Sequence, residues 1–458
     1  MGTSHGKIRV TRDVVWMRLA FFGACVGDDA GALVRAMSEI YDVAIIGGGP
    51  AGSTAATHLA RRGRRVVVIE REQFPRFKIG ESLLPHSLAA FEELGVRGEL
   101  EAHGFHKAGG EIATGCGRRV MKFYFENAIQ LEHRGAYQVE RAWFDKMLLD
   151  RTQQEGVEVR QPCLVERCEF DAEGATLRTS SGELRAKYVL DCSGRNAVVG
   201  QQFDLRQKYN HLQKFSVFAH FEGVQRDEGK DAGLTRMVRS KKEWFWFIPL
   251  DEKRTSVGMV MDIEDFRAAK LSPEDAFAAA LDRAKLAKAR MVNAKRLIPM
   301  QAVGDYSYRN TRLAGPRWLL AGDAAGFIDP IFSTGVFLAI HSGKRAAEAL
   351  DTAMRRPWLR WWKFARYARN LNGLMNRYLR FVSAWYTEEF VDIFTTPKPP
   401  CRIPQAVNSV LGGNIHPNFS VWWRLQLFYL VLWVQKRWQI VGRMPPEEEE
   451  MPPVTAAM

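Results

Sequence analysis

The 458-residue chain contains six cysteines, Cys25, Cys116, Cys163, Cys168, Cys192 and Cys401, and no two of them form a CxxC pair. The common zinc-ribbon and dithiol-redox spacings are therefore missing, and a chain of this size folds without disulfide staples. Reduced thiols in a cytoplasmic protein are the expectation. Also missing is any apolar run near the ~18 residues that cross a bilayer. The closest approach is "VWWRLQLFYLVLWVQKRW" at 421–438, interrupted by Arg424 and Gln426. It reads as a helix packed on the body, with peripheral contact to a membrane surface as its alternative use. Zinc-ligand spacings, basic heptads and internal repeats are absent too. The formal charge of +13 is spread along the chain, so an acidic partner is expected and a nucleic-acid partner is not.

What is present is legible from Tyr41 onward. "YDVAIIGGGPAGSTAATHLARRGRRVVVIERE" reads as strand, glycine turn, helix and strand, a βαβ unit. Strand-like text returns at 186–191 and 318–321, each time before a glycine-bearing turn. Between those returns, 214–224, 242–250 and 254–262 alternate like antiparallel strands, and 272–291 reads as one helix capped by Ser272. The fold class is thus α/β: a Rossmann-like nucleotide-binding domain over 41–345, an inserted antiparallel substrate sheet at about 205–300, and a mainly helical C-terminal region over 346–458. Residues 1–40 read as a poorly ordered extension, 397–404 as a Pro-rich loop and 445–453 as a disordered acidic tail.

Gly47, Gly49 and Gly52 form G-x-G-x-x-G between a strand and a helix. The glycines permit the turn, admit a pyrophosphate to backbone N–H groups, and let helix and strand pack closely. Ala51 lies within that turn, and Glu70 ends the second strand, where a carboxylate accepts ribose hydroxyls. "WLLAGDAAGFIDPIFSTGV" adds a strand, a Gly-Asp turn bearing Asp323, and a helix. "YQVERAWFDKML" places Arg141 at a helix start, and "LDCSGR" supplies a late turn. In this order the motifs resemble FAD-dependent oxygenases of the p-hydroxybenzoate-hydroxylase fold. That resemblance implies FAD as the cofactor, with Asp323 on the ribityl chain and Arg141 near the flavin. The Gly80-Glu81-Ser82 turn resembles the flavin-side loop of halogenases and of geranylgeranyl-reductase-like enzymes.

Within "EWFWFIPL", Trp244-x-Trp246-x-Ile248-Pro249 resembles the W-x-W-x-I-P signature of flavin-dependent halogenases, with Glu243 where glycine is usual. Period-2 alternation puts Trp244 and Trp246 on one face and Phe245 and Phe247 on the other. The resemblance implies that the indoles keep organic substrate from the flavin, so that reduced FAD, O2 and halide yield hypohalous acid. It further implies Lys107 as the lysine that handles the oxidant, with Lys78 as the second candidate, and Ser333, Thr334 and Gly335 as the halide turn. Phe332 stands where tryptophan halogenases carry glutamate, which points to a phenol or pyrrole substrate, free or tethered to an acidic carrier protein. A separate flavin reductase would supply reduced FAD. The other reading is a non-halogenating monooxygenase or prenyl-chain reductase of the same fold. No metal is expected.

Overall fold

The computed structural model describes residues 40–394 and 400–443. Most of the expected extension, the 445–453 tail and part of the Pro-rich loop lie outside the described residues. A seven-stranded sheet is built around Tyr41–Ile46, which pairs in parallel with Val66–Ile69 on one side and Gly182–Asp191 on the other. Trp318–Leu320 joins the far end of Gly182–Asp191, also in parallel. These strands are covered on both faces, which is why Val43–Ile46 and Val66–Ile69 are apolar throughout instead of alternating.

Pro50 occupies the first helical position of Pro50–Ala60, whose residues 50–59 are all buried. A β-carbon on Gly52 would lie 1.9 Å from the Gly47 carbonyl oxygen, so only glycine allows this helix its approach to the turn.

An eight-stranded second sheet contains Lys214–Glu222, Arg254–Asp262, Glu243–Pro249 and Thr235–Arg239 as its centre. It exceeds the expected 205–300 insertion, because Gly109–Thr114 and Val120–Tyr124 extend it from upstream. Gly109–Thr114 pairs in parallel with Thr235–Arg239, so the sheet is antiparallel except at that junction. The expected helix over 272–291 is two helices. Ser272 caps Pro273–Arg283 by accepting from the Asp275 amide, and Ala284 leaves helical geometry (φ −93°, ψ 80°) before Lys285–Arg290.

The C-terminal region is helical, as Thr334–Arg355, Arg360–Trp385, Glu388–Phe394, Ile403–Leu411 and Phe419–Trp438. The last of these buries Val421, Leu425, Phe428 and Leu432 against the body, and leaves Trp422, Leu430 and Trp433 exposed. Among the described residues, no helix is long and apolar enough to cross a membrane.

Candidate active site

One cavity of about 400 Å³ runs between the two sheets, within the range of small-molecule and cofactor sites. Its lining includes Gly47, Gly49, Ala51, Glu70, Gly80, Glu81, Ser82, Arg141, Trp244, Trp246, Asp323, Ser333 and Gly335, thirteen positions read from the sequence as candidates. Gly52 lies beneath it, packed on Gly47. Thr334 is buried at the start of its helix, and Lys107 lines a separate small cavity.

At the nucleotide end, the Glu70 carboxylate is held by two backbone donors, the amides of Gly48 (2.7 Å) and Glu72 (2.9 Å). It is only 5 % exposed yet lines the cavity, so its position is fixed before any ligand arrives. Pro50 has no N–H, the amides of Ala51 and Gly52 have no acceptor within the helix, and Pro50 and Ala51 line the same cavity. This carboxylate and the glycine turn fit the adenosine and pyrophosphate parts of FAD.

In the middle, Arg141 is locked. Its Nε and Nη2 donate to the two Asp145 oxygens at 2.8 and 3.0 Å, and Nη1 donates to the Ile79 carbonyl at 2.9 Å. Asp145 also accepts from Arg76 at 2.9 Å. The Gly80–Ser82 segment is pinned a second time, with Val139 donating its amide to the Glu81 carbonyl at 2.8 Å. Burial raises the Asp323 carboxyl above its ordinary value, and the positive charges of Lys78, Arg141 and Arg195 oppose that rise. Lys78, the second lysine candidate, lines this same cavity. The Gly-Asp motif is a 3₁₀ turn, Gly322–Ala324, and the helix after it begins at Thr334, within the Phe332–Val336 segment expected to start it. The intervening Gly326–Phe327 is drawn off to pair with Tyr308–Asn310.

Glu81 has a partner the sequence did not suggest. His220 Nε2 lies 2.6 Å from Glu81 Oε1, with both side chains buried. Strand alternation could have placed His220 inward, but nothing local signals its pairing with a loop 139 residues upstream.

At the far end stand the indoles. Trp244 and Trp246 share one strand face, with ring centroids 5.9 Å apart, and Phe218 lies 5.8 Å from Trp246. Phe245 and Phe247 point oppositely into a second core, where Phe245 meets Phe277 at 5.7 Å. The alternation expected from the sequence holds. Glu243 lies on the phenylalanine side and accepts from Arg283 Nε at 2.9 Å, away from the indoles. Facing the wall, Ser333 has a left-handed backbone (φ 55°) and precedes Thr334 and Gly335, the first residues of Thr334–Arg355. Helix-start amides such as these suit an anion.

Lys107 occupies a cavity of about 30 Å³ that shares Thr235, Met237, Ile331 and Ser333 with the larger one. It is 3 % exposed, donates to the Leu83 carbonyl at 3.2 Å and lies 5.3 Å over the Phe125 ring. Burial pushes its amine down to about 7, so a large neutral fraction exists near neutral pH.

The sequence matches the FAD-binding-domain family over residues 40–356. It is 31% identical over 405 residues to a 1H-pyrrole-2-carbonyl-[peptidyl-carrier protein] chlorinase of Pseudomonas fluorescens, covering 82% of this chain and 90% of the relative. It is 34% identical over 322 residues to a tryptophan 2-halogenase of Chondromyces crocatus, covering 68% of this chain and 61% of that relative. The structure is similar to that of the flavin-dependent brominase Bmp2, with a TM-score of 0.77 at 28% identity, over 87% of this chain and all of that one (100%). Fold, cavity and kinship agree: the chain belongs to the flavin-dependent halogenases, FAD-dependent enzymes on an FAD-binding-domain scaffold.

Proposed function

We propose that this enzyme halogenates a pyrrole or phenol ring delivered on an acidic carrier protein, using FAD reduced by a separate flavin reductase. When bound and reduced, FAD supplies with O2 the oxidising equivalents that turn halide into hypohalous acid. The observation that carries the reading is Lys107. Its buried amine lines a small cavity that shares Thr235, Met237, Ile331 and Ser333 with the main one. An amine with a large neutral fraction hydrogen-bonds or captures hypohalous acid, and then releases halogen to an electron-rich ring.

Placement in the cavity lining supports the other roles. Glu70 and the glycine turn hold the adenosine and pyrophosphate, while Arg141, Asp323 and the Gly80–Ser82 loop frame the ring system. The amides of Thr334 and Gly335 hold halide. Trp244 and Trp246 keep the organic ring from the cofactor, so that substrate meets the oxidant at Lys107.

One feature favours pyrrole or phenol over indole, and a second favours delivery on a carrier. Phe332, directly before the Ser-Thr-Gly turn, is packed against Phe381 (6.2 Å) and Trp385 (6.1 Å), leaving no carboxylate at that position to polarise a weak nucleophile. The net charge of +13 attracts an acidic carrier. The pyrrole-on-carrier activity named for the Pseudomonas relative points the same way.

The test combines purified enzyme, FAD, a flavin reductase with NADH, and bromide. Substrates are free phenols, pyrroles and indoles alongside a carrier-bound pyrrole, with products read by mass spectrometry. Bromination strongest on the carrier-bound ring is expected. Bromination confined to free tryptophan would overturn the substrate reading, and oxygenated product indifferent to bromide would overturn the whole reading.

A further inference from the structure

The end of the long helix Arg360–Trp385 is hydrogen-bonded to the indole wall through Tyr386. Trp244 Nε1 donates to the Tyr386 hydroxyl (3.1 Å), and that hydroxyl donates to Asp329 Oδ2 (2.8 Å). Asp329 Oδ1 accepts from the Ile331 amide (3.0 Å), two residues short of Ser333. Tyr386 directly follows Arg360–Trp385, and the preceding Trp385 meets Trp244 edge-on at 6.3 Å and Phe332 at 6.1 Å. Lys214 Nζ lies 3.9 Å from the centroid of the Tyr386 ring. The indole wall, the loop before the anion turn and the end of a long helix are thus joined by one hydrogen-bonded chain.

A wall that served by bulk alone would be as well made of phenylalanine, which brings no N–H to satisfy. Here a fully buried carboxylate, 2 % exposed, is retained beside the cavity in spite of its desolvation. Burial pushes that carboxyl up to about 6, against the Ile331 amide, the Tyr386 hydroxyl and the charge of Lys214. Its two oxygens take one bond from the turn segment and one from Tyr386, whose hydroxyl in turn accepts from the Trp244 indole, so wall and turn are oriented through one shared carboxylate. Small orientation errors at reacting groups cost rate disproportionately.

We propose that Asp329 and Tyr386 are positioning residues that tie the Trp244 indole to the Asp329–Ser333 loop, and that this tie decides whether oxidising equivalents reach halide. With the tie intact, two electrons from the reduced cofactor and two from halide reduce O2 to two waters, and the halogen, oxidised to the hypohalous level, replaces a ring proton. With it broken, the two electrons of the reduced cofactor still reach O2, but two protons are taken up and hydrogen peroxide leaves instead. The inference rests on the halogenase reading and on the Thr334–Gly335 anion site.

The experiment uses FAD-loaded enzyme carrying Tyr386→Phe, Trp244→Phe and both together. It measures bromide Kd from the absorbance of bound flavin, the ratio of peroxide to brominated product, and Tm. Loss of one buried, charge-assisted hydrogen bond predicts a bromide Kd raised about tenfold in Tyr386→Phe, with a larger share of peroxide. The double variant should be no worse than the worse single, because both break the same tie. A purely structural role would lower Tm and leave Kd and the product ratio within about twofold, which would overturn the proposal, as would strict additivity. If Tyr386→Phe does not fold, Asp329→Asn and Asp329→Ala decide. Asparagine keeps an acceptor oxygen and should rescue coupling that alanine loses, whereas equal and wild-type behaviour of both overturns the proposal. Wild-type enzyme that turns over flavin but makes no bromide-dependent product would instead defeat the halogenase reading, and the inference with it.

Discussion

The Trp246 indole lies across Gly258, its register partner on the neighbouring strand: a β-carbon at 258 would come within 2.1 Å of the ring. The glycine in "RTSVGMVMD" is therefore the recess that lets the indole lie flat along the sheet and line the cavity. Gly258→Ala should drive the ring off its seat, destabilise the fold by ~1–3 kcal/mol as overpacking does, and alter the cavity wall. Thermal unfolding together with the peroxide-to-product ratio checks this: Tm should fall and peroxide should rise. An unchanged Tm would show that the ring moves aside freely.

Lys107 makes a stability prediction with a sign. Its amine falls from 10.5 to about 7 on folding, so the folded state binds fewer protons than the unfolded one between those values. Stability should therefore rise with pH across that window, and the burden of a buried charge is greatest below it. Lys107→Met keeps the volume and removes the charge, so it should raise stability more at pH 6 than at pH 9. Denaturant unfolding at the two pH values reads the difference, and a gain independent of pH would contradict it.

Arg141 depends on Asp145. Both are buried, and the carboxylate satisfies Arg141 and Arg76 together. Removing it by Asp145→Ala takes from Arg141 its only close carboxylate among the described residues, leaving it the Ile79 carbonyl, and leaves Arg76 paired with Glu72; it should destabilise by about 3–5 kcal/mol, the usual scale for breaking a buried pair. Arg141→Met combined with Asp145→Leu should recover part of that loss, and equilibrium unfolding separates the two cases.

Cofactor retention is tested at the glycine turn. Gly52→Ala places a methyl against the Gly47 carbonyl and should yield protein without yellow flavin, whereas Glu70→Gln should weaken FAD binding by about tenfold through one weakened ribose contact. Flavin absorbance after gel filtration and titration of apoenzyme measure both.

Local text carried much of this site. The glycine turn, the Gly-Asp turn and the Trp-x-Trp strand each sit where strand and helix periodicities put them, because their chemistry is set within a few residues. What the sequence did not disclose depends on distant partners. Asp145 reads as an ordinary helical carboxylate until Arg76 and Arg141 converge on it. His220 and Tyr386 gain their meaning only from Glu81 and Asp329, which arrive from other segments. The upstream strand Gly109–Thr114 was missed because its glycines carry no alternation, and the sheet recruits it by parallel pairing to Thr235–Arg239. The break at Ala284 within the expected 272–291 helix likewise follows a tertiary demand, since the Leu286 amide turns to the Gly115 carbonyl at 2.9 Å.

The central claim is that the buried Lys107 amine handles the oxidant formed from halide. Its most direct measurement compares wild type with Lys107→Ala for brominated product and hydrogen peroxide, at matched FAD occupancy and saturating bromide. The account predicts product falling by at least about 100-fold, the scale of a lost catalytic acid or base, while NADH-driven O2 consumption continues and peroxide or free hypobromite accounts for the electrons. Brominated product at the wild-type rate in Lys107→Ala would contradict it.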